Sequence, residues 1–361
     1  MMSFQPRRDV IPQLDGLRAL AVLLVLWEHL PDNLLGRPLK LAALALQPGY
    51  FGVDLFFVLS GFLITRILLF NRENGVSLKD FMIRRMARIF PVYYALLAIL
   101  SVFAFGPYLI WCATYLSNFA FSFDRSPNPM RHTWSLCVEE HFYLVWPFVA
   151  VKLGAAKVAR IAIWMIAAAY VLAVLAVLFR HWHQIDMLVY RATPFRLGSL
   201  GIGAFAAVHE NFLRSDLKRL KWIAFGFLGT AILFAAPGLA TSQIEEFRAW
   251  TKVFKLIGFG FASGFLLLIV LSLSDAKTFL AKSLSSGVLP YIGRISYGLY
   301  LFHYPIFYFM NVLDGSQTHD QLLLRTLIAV LASFAAASIS FHFFEKPFMD
   351  WQRRKLEPKA A

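Results

Sequence analysis

Two polar residues stand out in the first apolar segment, "LDGLRALAVLLVLWEHLP" at residues 14–31. Arg18 and His29 are separated by ten residues. In an α-helix this spacing places both side chains on one face, about 16 Å apart along the axis. A charged side chain within a membrane helix is costly and almost always faces a protein interior, a cavity or a partner. The spacing therefore predicts a polar path along this helix face.

Further ionisable residues are predicted at the same depth as His29. Asp54 lies near the start of the second apolar segment, Glu139 near the start of the fourth and His303 late in the ninth. A neutral histidine is a suitable general base for a hydroxyl when a carboxylate orients its second nitrogen. We therefore expect His29 to be a catalytic base, oriented by Asp54 or Glu139. In the fourth segment, Ser135, Glu139 and Tyr143 share one helix face.

Basic residues cluster at the opposite end of the path. In "RRMARIFP", Arg84, Arg85 and Arg88 precede Pro91, a residue that suits the first turn of a helix. The pattern predicts arginines at or just before the N-terminus of the third helix, on the same side as Arg18. Arginine side chains and helix N-termini both bind phosphate.

Each of these features also has a purely structural interpretation. The arginines could mark only the cytoplasmic end of a membrane helix. Glu139 could make an interhelical hydrogen bond, His303 could be a packing residue, and Asp54 could neutralise Arg66 or Arg131. The grouping of histidine and carboxylates at one depth, with arginines at the other, favours a functional site.

Apolar runs of membrane-spanning length carry these residues. Of the 361 residues, 59% are hydrophobic and 16% charged, which is unlike a soluble domain. The composition predicts an all-α, polytopic membrane bundle of about ten transmembrane helices, the sixth of them short. The runs are too long and too uniformly apolar for the strands of a membrane barrel. They lie at residues 14–30, 50–70, 90–108, 135–152, 160–179, 196–208, 221–239, 253–273, 289–310 and 322–344.

Lysine and arginine residues predict the orientation. With the N-terminus inside, the inner connections hold about 21 of them and the outer connections about 8, so both termini are predicted to be cytoplasmic. We expect a cytoplasmic segment at 1–13, a membrane domain at 14–345 and a basic cytoplasmic tail at 346–361, in a multi-pass protein of the cytoplasmic membrane. The net charge of +14 then reflects topology, and we expect no nucleic-acid partner. The two cysteines have no metal-binding spacing, and we expect no metal.

The predicted path combines a phosphate-binding inner end with an acid–base group further out. Coenzyme A has a phosphorylated nucleotide head and a long, thin arm that ends in a thioester, which would span this separation. The arrangement therefore indicates acyl transfer across the membrane.

Six motifs, in this order, resemble the acyltransferase-3 family of membrane-bound acyltransferases over essentially the whole chain. They are "LDGLRALAVLLVLWEHL", "GVDLFFVLSGFLI", "RRMARIFPVYY", "TWSLCVEEHFYLVWP", "ISYGLYLFHYPI" and "FEKP". The resemblance implies a ten-helix bundle that uses acyl-CoA, most often acetyl-CoA, to O-acylate carbohydrates such as lipopolysaccharide, exopolysaccharide or peptidoglycan sugars; some relatives acylate macrolides.

The same resemblance assigns roles to individual residues. Arg18 and His29 match the family's paired functional residues, with His29 as the catalytic one. Arg85 and Arg88 match its arginine pair at the CoA side, and Glu139 matches the glutamate of its fourth-helix motif. Weaker motif positions, which we expect to bind substrate, are Ser135, Tyr143 and His303.

The sequence departs from the family in two respects. Many relatives place an acidic residue shortly after an arginine in the sixth helix, whereas "TPFRLGSLGIG" has Arg196 and no acid. We also expect a single-domain member without a fused extracytoplasmic esterase-like domain, which would deliver the acyl group directly to its acceptor or to a separate protein. A homo-oligomer or a polysaccharide-assembly partner remains open.

Two other functions use the same buried charges. A transporter or flippase for a glycolipid or organic acid could line its route with them, although the internal repeats common in transporters are absent from the sequence. A structural partner in polysaccharide assembly would not need Arg18 or His29. The acceptor is expected to contact the outer connections, residues 31–48, 109–133 and 180–195. The sequence is compatible both with direct acyl transfer and with an acyl-histidine intermediate.

Overall fold

The computed structural model describes residues 10–31, 34, 47–104, 106–124, 126–179, 185–241, 244–313 and 318–356, which are helical apart from short connections. Each of the ten predicted apolar segments coincides with a long helix, so the all-α prediction is confirmed. These helices are α1 (Gln13–Glu28), α2 (Pro48–Glu73), α3 (Leu78–Phe103), α4 (Trp134–Lys152), α5 (Ala155–Leu178), α6 (Thr193–Val208), α7 (Leu217–Ala240), α8 (Arg248–Leu273), α9 (Val288–Phe309) and α10 (His319–Ser340).

Shorter elements connect the long helices. They are the α-helices Tyr108–Ala113, Ser117–Phe123, Ile185–Arg191, Glu210–Ser215, Phe279–Ser285 and Lys346–Leu356, the 3₁₀ turns Arg131–Thr133 and Glu245–Phe247, and a π-helical turn at Phe341–Glu345. The helix Lys346–Leu356 packs against α3 and forms the first part of the predicted C-terminal tail. Residues 1–9 and 357–361 of the predicted terminal segments lie outside the described residues.

Six helical segments in the described part of the chain are long and apolar enough to cross a membrane. They are Pro48–Glu73, Leu78–Phe103, Ala155–Leu178, Leu217–Ala240, Arg248–Leu273 and His319–Trp351. The chain is therefore a membrane protein. The count of ten spans and the orientation of the termini stay predictions.

Helix α2 packs against α1, α4, α6 and α8. Close approach of its backbone to α1 and α6 depends on glycine. A β-carbon at Gly61 would overlap the carbonyl oxygen of Leu200 in α6, and one at Gly52 would lie 2.6 Å from the carbonyl oxygen of Ala21 in α1. These contacts place α1, α2 and α6 side by side and so set the positions of the polar residues that they carry.

The start of α3 differs from the prediction. The helix begins at Leu78, where the Ser77 side chain caps it by accepting the N–H of Lys79 at 3.1 Å, and Pro91 lies within it. The arginines at 84, 85 and 88 therefore lie inside the helix, and the predicted phosphate site at a helix N-terminus is wrong. Apolar residues before Pro91 continue the helix, so the proline does not mark its start.

Candidate functional site

A cavity of about 300 Å³ lies between α1, α2, α3, α4 and α9. It contains Arg85 and Arg88 of the predicted phosphate-binding cluster, together with Arg18 of α1. Ser135, Glu139 and Tyr143 line it together, which confirms that they share a helix face. Its polar lining consists of Asp15, Arg18, Ser60, Arg85, Arg88, Ser135, Glu139, Glu140, Tyr143, Ser296, Tyr297 and Tyr300. The remaining lining side chains are apolar and come mostly from α2.

Glu139 and Tyr143 hold Arg85 at one wall of the cavity. The Arg85 guanidinium lies 4.0 Å from a Glu139 carboxylate oxygen and 3.5 Å from the centroid of the Tyr143 ring. Ser60 donates to the same carboxylate at 2.7 Å, and the Tyr143 hydroxyl lies 2.9 Å from both the carboxylate and Ser60 Oγ. Glu139 therefore positions Arg85 and does not orient His29, contrary to the expectation from depth.

The other two arginines come from α1 and α3. Arg18 donates to Ser296 Oγ of α9 at 3.2 Å and lines the cavity with Arg88. Asp15, one turn before Arg18 in α1, lines the same cavity. Two helices far apart in sequence thus bring three guanidinium groups into one space, and Arg18 lies on the same side as the α3 arginines, as expected. Arg84 is exposed and does not line the cavity.

His29 lies at the opposite end of α1, beside His303. Its Nδ1 is 2.9 Å from the carbonyl oxygen of Val25 and 3.2 Å from His303 Nε2. His303 is fully buried, and its Nδ1 lies 2.7 Å from the Tyr300 carbonyl oxygen and 3.1 Å from that of Leu299. The two histidines that the sequence placed at one depth are therefore in direct contact.

These contacts determine the tautomer of each neutral imidazole. Because a carbonyl oxygen only accepts, Nδ1 of His303 carries its proton and its Nε2 is an acceptor. By the same reasoning Nδ1 of His29 carries a proton, which it donates to Val25 and to His303. The Nε2 of His29 is then unprotonated, and it makes no hydrogen bond within the described residues. This nitrogen is the basic atom of the site.

A third histidine, His132, belongs to the same group and was missed from the sequence. It lies just before α4, and its ring centroid is 5.2 Å from that of His303. The Tyr304 ring stacks on His132 at 5.0 Å and contacts His29 edge-on at 5.0 Å. Its position in "RHTW", on the connection expected at the His29 end, was the available signal. Across the described residues, no group of histidine, cysteine and acidic side chains has the arrangement of a metal site.

Asp54 does not contact His29. Its carboxylate accepts from Arg196 at 3.1 and 3.2 Å and from Ser199 at 2.6 Å, and both ion-pair side chains are 1% exposed. The expectation that Asp54 orients the histidine is therefore not supported by its position. Arg196, which has no acidic partner in its own helix, obtains one from α2.

The two arginines suggested as partners of Asp54 are engaged elsewhere. Arg66 pairs with Glu210 at 2.6 Å, and Arg131 donates to the Ser126 carbonyl oxygen at 3.0 Å. Neither alternative for Asp54 is correct.

Tyr300 joins the cavity to the histidine group. Its side chain lines the cavity, and its hydroxyl lies 2.6 Å from Ser135 Oγ and donates to the His132 carbonyl oxygen at 2.8 Å. The centroid of its ring is 5.7 Å from that of the His303 ring. Tyr300 therefore contacts both the arginine-lined cavity and His303, the hydrogen-bond partner of His29. Of the connections predicted to contact an acceptor, residues 32–33, 35–46, 125 and 180–184 lie outside the described residues.

The chain belongs to the acyltransferase-3 family: the family's model, described as an acyltransferase domain, matches residues 11–343. This assignment agrees with the arrangement of a basic histidine and an arginine-lined cavity at the two ends of one helix.

Curated relatives include three proteins that are each 30% identical to the chain. The first is "Peptidoglycan O-acetyltransferase OatA" of Listeria monocytogenes, where the match covers 94% of this chain and 56% of the relative. The second is "Putative peptidoglycan O-acetyltransferase YrhL" of Bacillus subtilis, where it covers 93% of this chain and 54% of the relative. The third is "O-acetyltransferase OatA" of Staphylococcus aureus, where it covers 95% of this chain and 58% of the relative. The chain thus spans about half the length of the curated relatives it matches. No solved structure matches it.

Proposed function

We propose that the protein transfers an acetyl group from acetyl-CoA to a hydroxyl of a carbohydrate acceptor, with peptidoglycan-like glycans as the first candidates. The observation that carries this proposal is the pair of contacts that leave His29 Nε2 unprotonated, at the end of a helix whose other end opens into the arginine-lined cavity. The names of the relatives, which include peptidoglycan O-acetyltransferases, support the acyl group and the acceptor class.

Donor binding is assigned to the cavity. Arg18, Arg85 and Arg88 would bind the phosphates of coenzyme A from the cytoplasmic side, because guanidinium groups form strong, charge-assisted hydrogen bonds to phosphate. A volume of about 300 Å³ lies at the lower end of small-molecule sites and suits the slender arm of the donor. Since Ser135 and Tyr143 line this cavity, we assign both to the donor arm.

The chemical step requires only the basic nitrogen of His29. The acceptor hydroxyl oxygen attacks the thioester carbonyl carbon while Nε2 takes its proton, and collapse of the tetrahedral intermediate breaks the carbon–sulfur bond. The CoA thiolate leaves and takes the proton back from the imidazolium. In the alternative route, Nε2 attacks the thioester carbonyl carbon and the CoA thiolate leaves, which gives an acetyl-imidazolium. The acceptor hydroxyl oxygen then attacks the acetyl carbon, the carbon–nitrogen bond breaks and the hydroxyl proton passes to the thiolate. Both routes use Nε2 of His29.

His303 is a positioning residue in this proposal. It accepts the Nδ1 proton of His29 at 3.2 Å and so keeps Nε2 directed away from the α1 backbone. When His29 becomes an imidazolium, this acceptor stabilises the positive charge.

Replacement of His29 by alanine tests the proposal. Purified protein is incubated with labelled acetyl-CoA and candidate glycans, and both CoA release and label on the glycan are measured. We expect His29→Ala to abolish transfer while the protein still inserts into the membrane. His209→Ala is the matched control, because His209 Nδ1 makes the same contact with a carbonyl oxygen four residues earlier, at 3.0 Å, but lies outside the site.

Full activity of His29→Ala would refute the mechanism. Folded wild-type protein that releases no CoA with any glycan acceptor would refute the proposed function and favour a transporter or a structural partner.

A further inference from the structure

A second polar cluster lies on α8, facing the start of α2. Lys252 and Lys255 are three residues apart and share one helix face. The Lys252 ammonium group donates a hydrogen bond to the Tyr50 hydroxyl and lies 4.4 Å from the centroid of the Tyr50 ring. Lys255 Nζ lies 5.3 Å from the same ring. Both lysines are therefore directed at one aromatic side chain.

The two ammonium groups are buried without an acidic partner in contact. Lys252 is 9% exposed and Lys255 is 5% exposed. The carboxylates that act on them at longer range are those of Asp186 and Glu28. Within the described residues neither lysine forms an ion pair, and Lys255 makes no hydrogen bond. Because a buried cation is costly unless it is paired, this arrangement indicates a place for an anion.

Aromatic rings extend from the lysines in a continuous row. The Tyr50 and Tyr190 rings are 4.3 Å apart, and the Tyr190 and Trp134 rings are 4.8 Å apart. The Arg196 guanidinium lies 4.5 Å from the Tyr190 ring. The neighbouring Arg191 is 8% exposed, and its buried Nε has no hydrogen-bond partner among the described residues. Cations thus border a group of aromatic side chains, the type of side chain that packs against sugar rings.

The cluster lies at the His29 end of the bundle. The backbone N–H of Gly49 donates to the Glu28 carboxylate at 3.0 Å, and these residues directly precede Tyr50 and His29 in the chain. The donor cavity is lined by other residues and includes neither of the two lysines, nor Arg191, Tyr50 or Tyr190. The cluster is therefore separate from the proposed donor site and lies at the same end of α1 as His29.

We infer that Lys252, Lys255 and Arg191 bind a carboxylate or phosphate group of the acceptor glycan, with a sugar ring packed against Tyr50 and Tyr190. This inference rests on the proposed function and specifies its substrate class as an anionic glycan. When the anionic group of the acceptor is bound here, a hydroxyl of a neighbouring sugar is placed next to His29. The same contact therefore selects the anionic acceptor and orients its reacting hydroxyl.

Three acceptors that share the same reacting hydroxyl distinguish the sources of charge. They are a peptidoglycan disaccharide with a free lactyl carboxylate, the same disaccharide as its carboxamide, and that carboxamide carrying a 1-phosphate. We expect wild-type protein to prefer one anionic acceptor over the neutral carboxamide by about tenfold or more in kcat/KM, as a charge-assisted contact supplies. The preferred acceptor identifies carboxylate or phosphate as the group recognised.

The lysines are then replaced. We expect Lys255→Gln to raise the KM for the preferred anionic acceptor about tenfold and the KM for the neutral acceptor far less. Lys255→Arg should restore the low KM because it keeps the charge. Lys277→Gln, at an exposed lysine after α8, is the control. Lys252→Gln, measured in the same way, decides the outcome where Lys255→Gln does not insert.

Failure of the inference and failure of the proposed function give different results. Equal wild-type kcat/KM on all three acceptors, or equal effects of the lysine variants on charged and neutral acceptors, overturns the anion site and leaves acyl transfer intact. Absence of CoA release from wild-type protein with all three acceptors overturns the proposed glycan acylation and, with it, this site.

Discussion

The contact between His303 and His29 leads to a quantitative prediction. Replacing His303 by leucine removes the acceptor of the His29 Nδ1 proton and leaves only the Val25 carbonyl oxygen, 2.9 Å away. The tautomer of His29 is unchanged, because the carbonyl still requires a proton on Nδ1. The base therefore survives, and only the stabilisation of its protonated form is reduced.

The expected size of the effect follows from this difference. A neutral hydrogen bond contributes about 1 kcal/mol and one to a charged group about 1.5–3 kcal/mol, so that protonation of His29 strengthens the contact by roughly 0.5–2 kcal/mol. Only an interaction that strengthens in the transition state raises the rate. We therefore expect His303→Leu to lower kcat about tenfold. Removal of the base itself, in His29→Ala, should cost roughly 10²–10⁴-fold or more.

Steady-state kinetics with labelled acetyl-CoA measure both variants. His303→Gln, which keeps an acceptor in the side chain, should recover part of the lost kcat, and the KM for acetyl-CoA should stay constant in both. A loss for His303→Leu as large as that of His29→Ala, or no loss at all, would refute the reasoning. Equal activity of the leucine and glutamine variants would assign His303 a packing role only.

Two further predictions concern the donor cavity and the packing of the bundle. Arg85→Lys should raise the KM for acetyl-CoA about tenfold, because an ammonium group cannot replace the planar guanidinium in its present contacts. Arg84→Lys, at an exposed arginine, is the control and should leave this KM unchanged. Equal KM values for the two variants would exclude Arg85 from donor binding. Gly61→Ala should destabilise the detergent-solubilised protein by about 1–3 kcal/mol, read as a lower Tm, because its β-carbon overlaps the Leu200 carbonyl. Gly226→Ala, where nothing lies within 4 Å, should leave the Tm unchanged or raise it, and a Tm for Gly61→Ala that matches this control would contradict the packing argument.

The anion site and the donor cavity imply different selectivities. The cavity arginines should determine the affinity for acetyl-CoA, whereas the lysines of α8 should determine the affinity for the acceptor. Variants of the two groups should therefore change different KM values, and this separation follows from their positions at opposite ends of α1.

The periodicity of apolar and polar residues along the chain was sufficient to predict the long helices and the residues that share a helix face. Apolar runs predicted every long helix, because a segment of that length and composition buries its backbone polar groups only as a helix. The 3.6-residue repeat placed Arg18 and His29 on one face of α1 and Ser135, Glu139 and Tyr143 on one face of α4. The order of motifs indicated the family before any contact was known.

Only the tertiary structure determines which side chains contact each other between different helices. Depth along the chain grouped Asp54 and Glu139 with His29, yet Asp54 pairs with Arg196 and Glu139 lies beside Arg85. Depth gives the position of a residue along a helix axis but not the direction of its side chain around the bundle. That direction depends on which helices are neighbours, and Gly61, for example, packs against the backbone of Leu200, more than a hundred residues away in sequence. His132 and the lysines of α8 became recognisable only when this packing brought them to the His29 end.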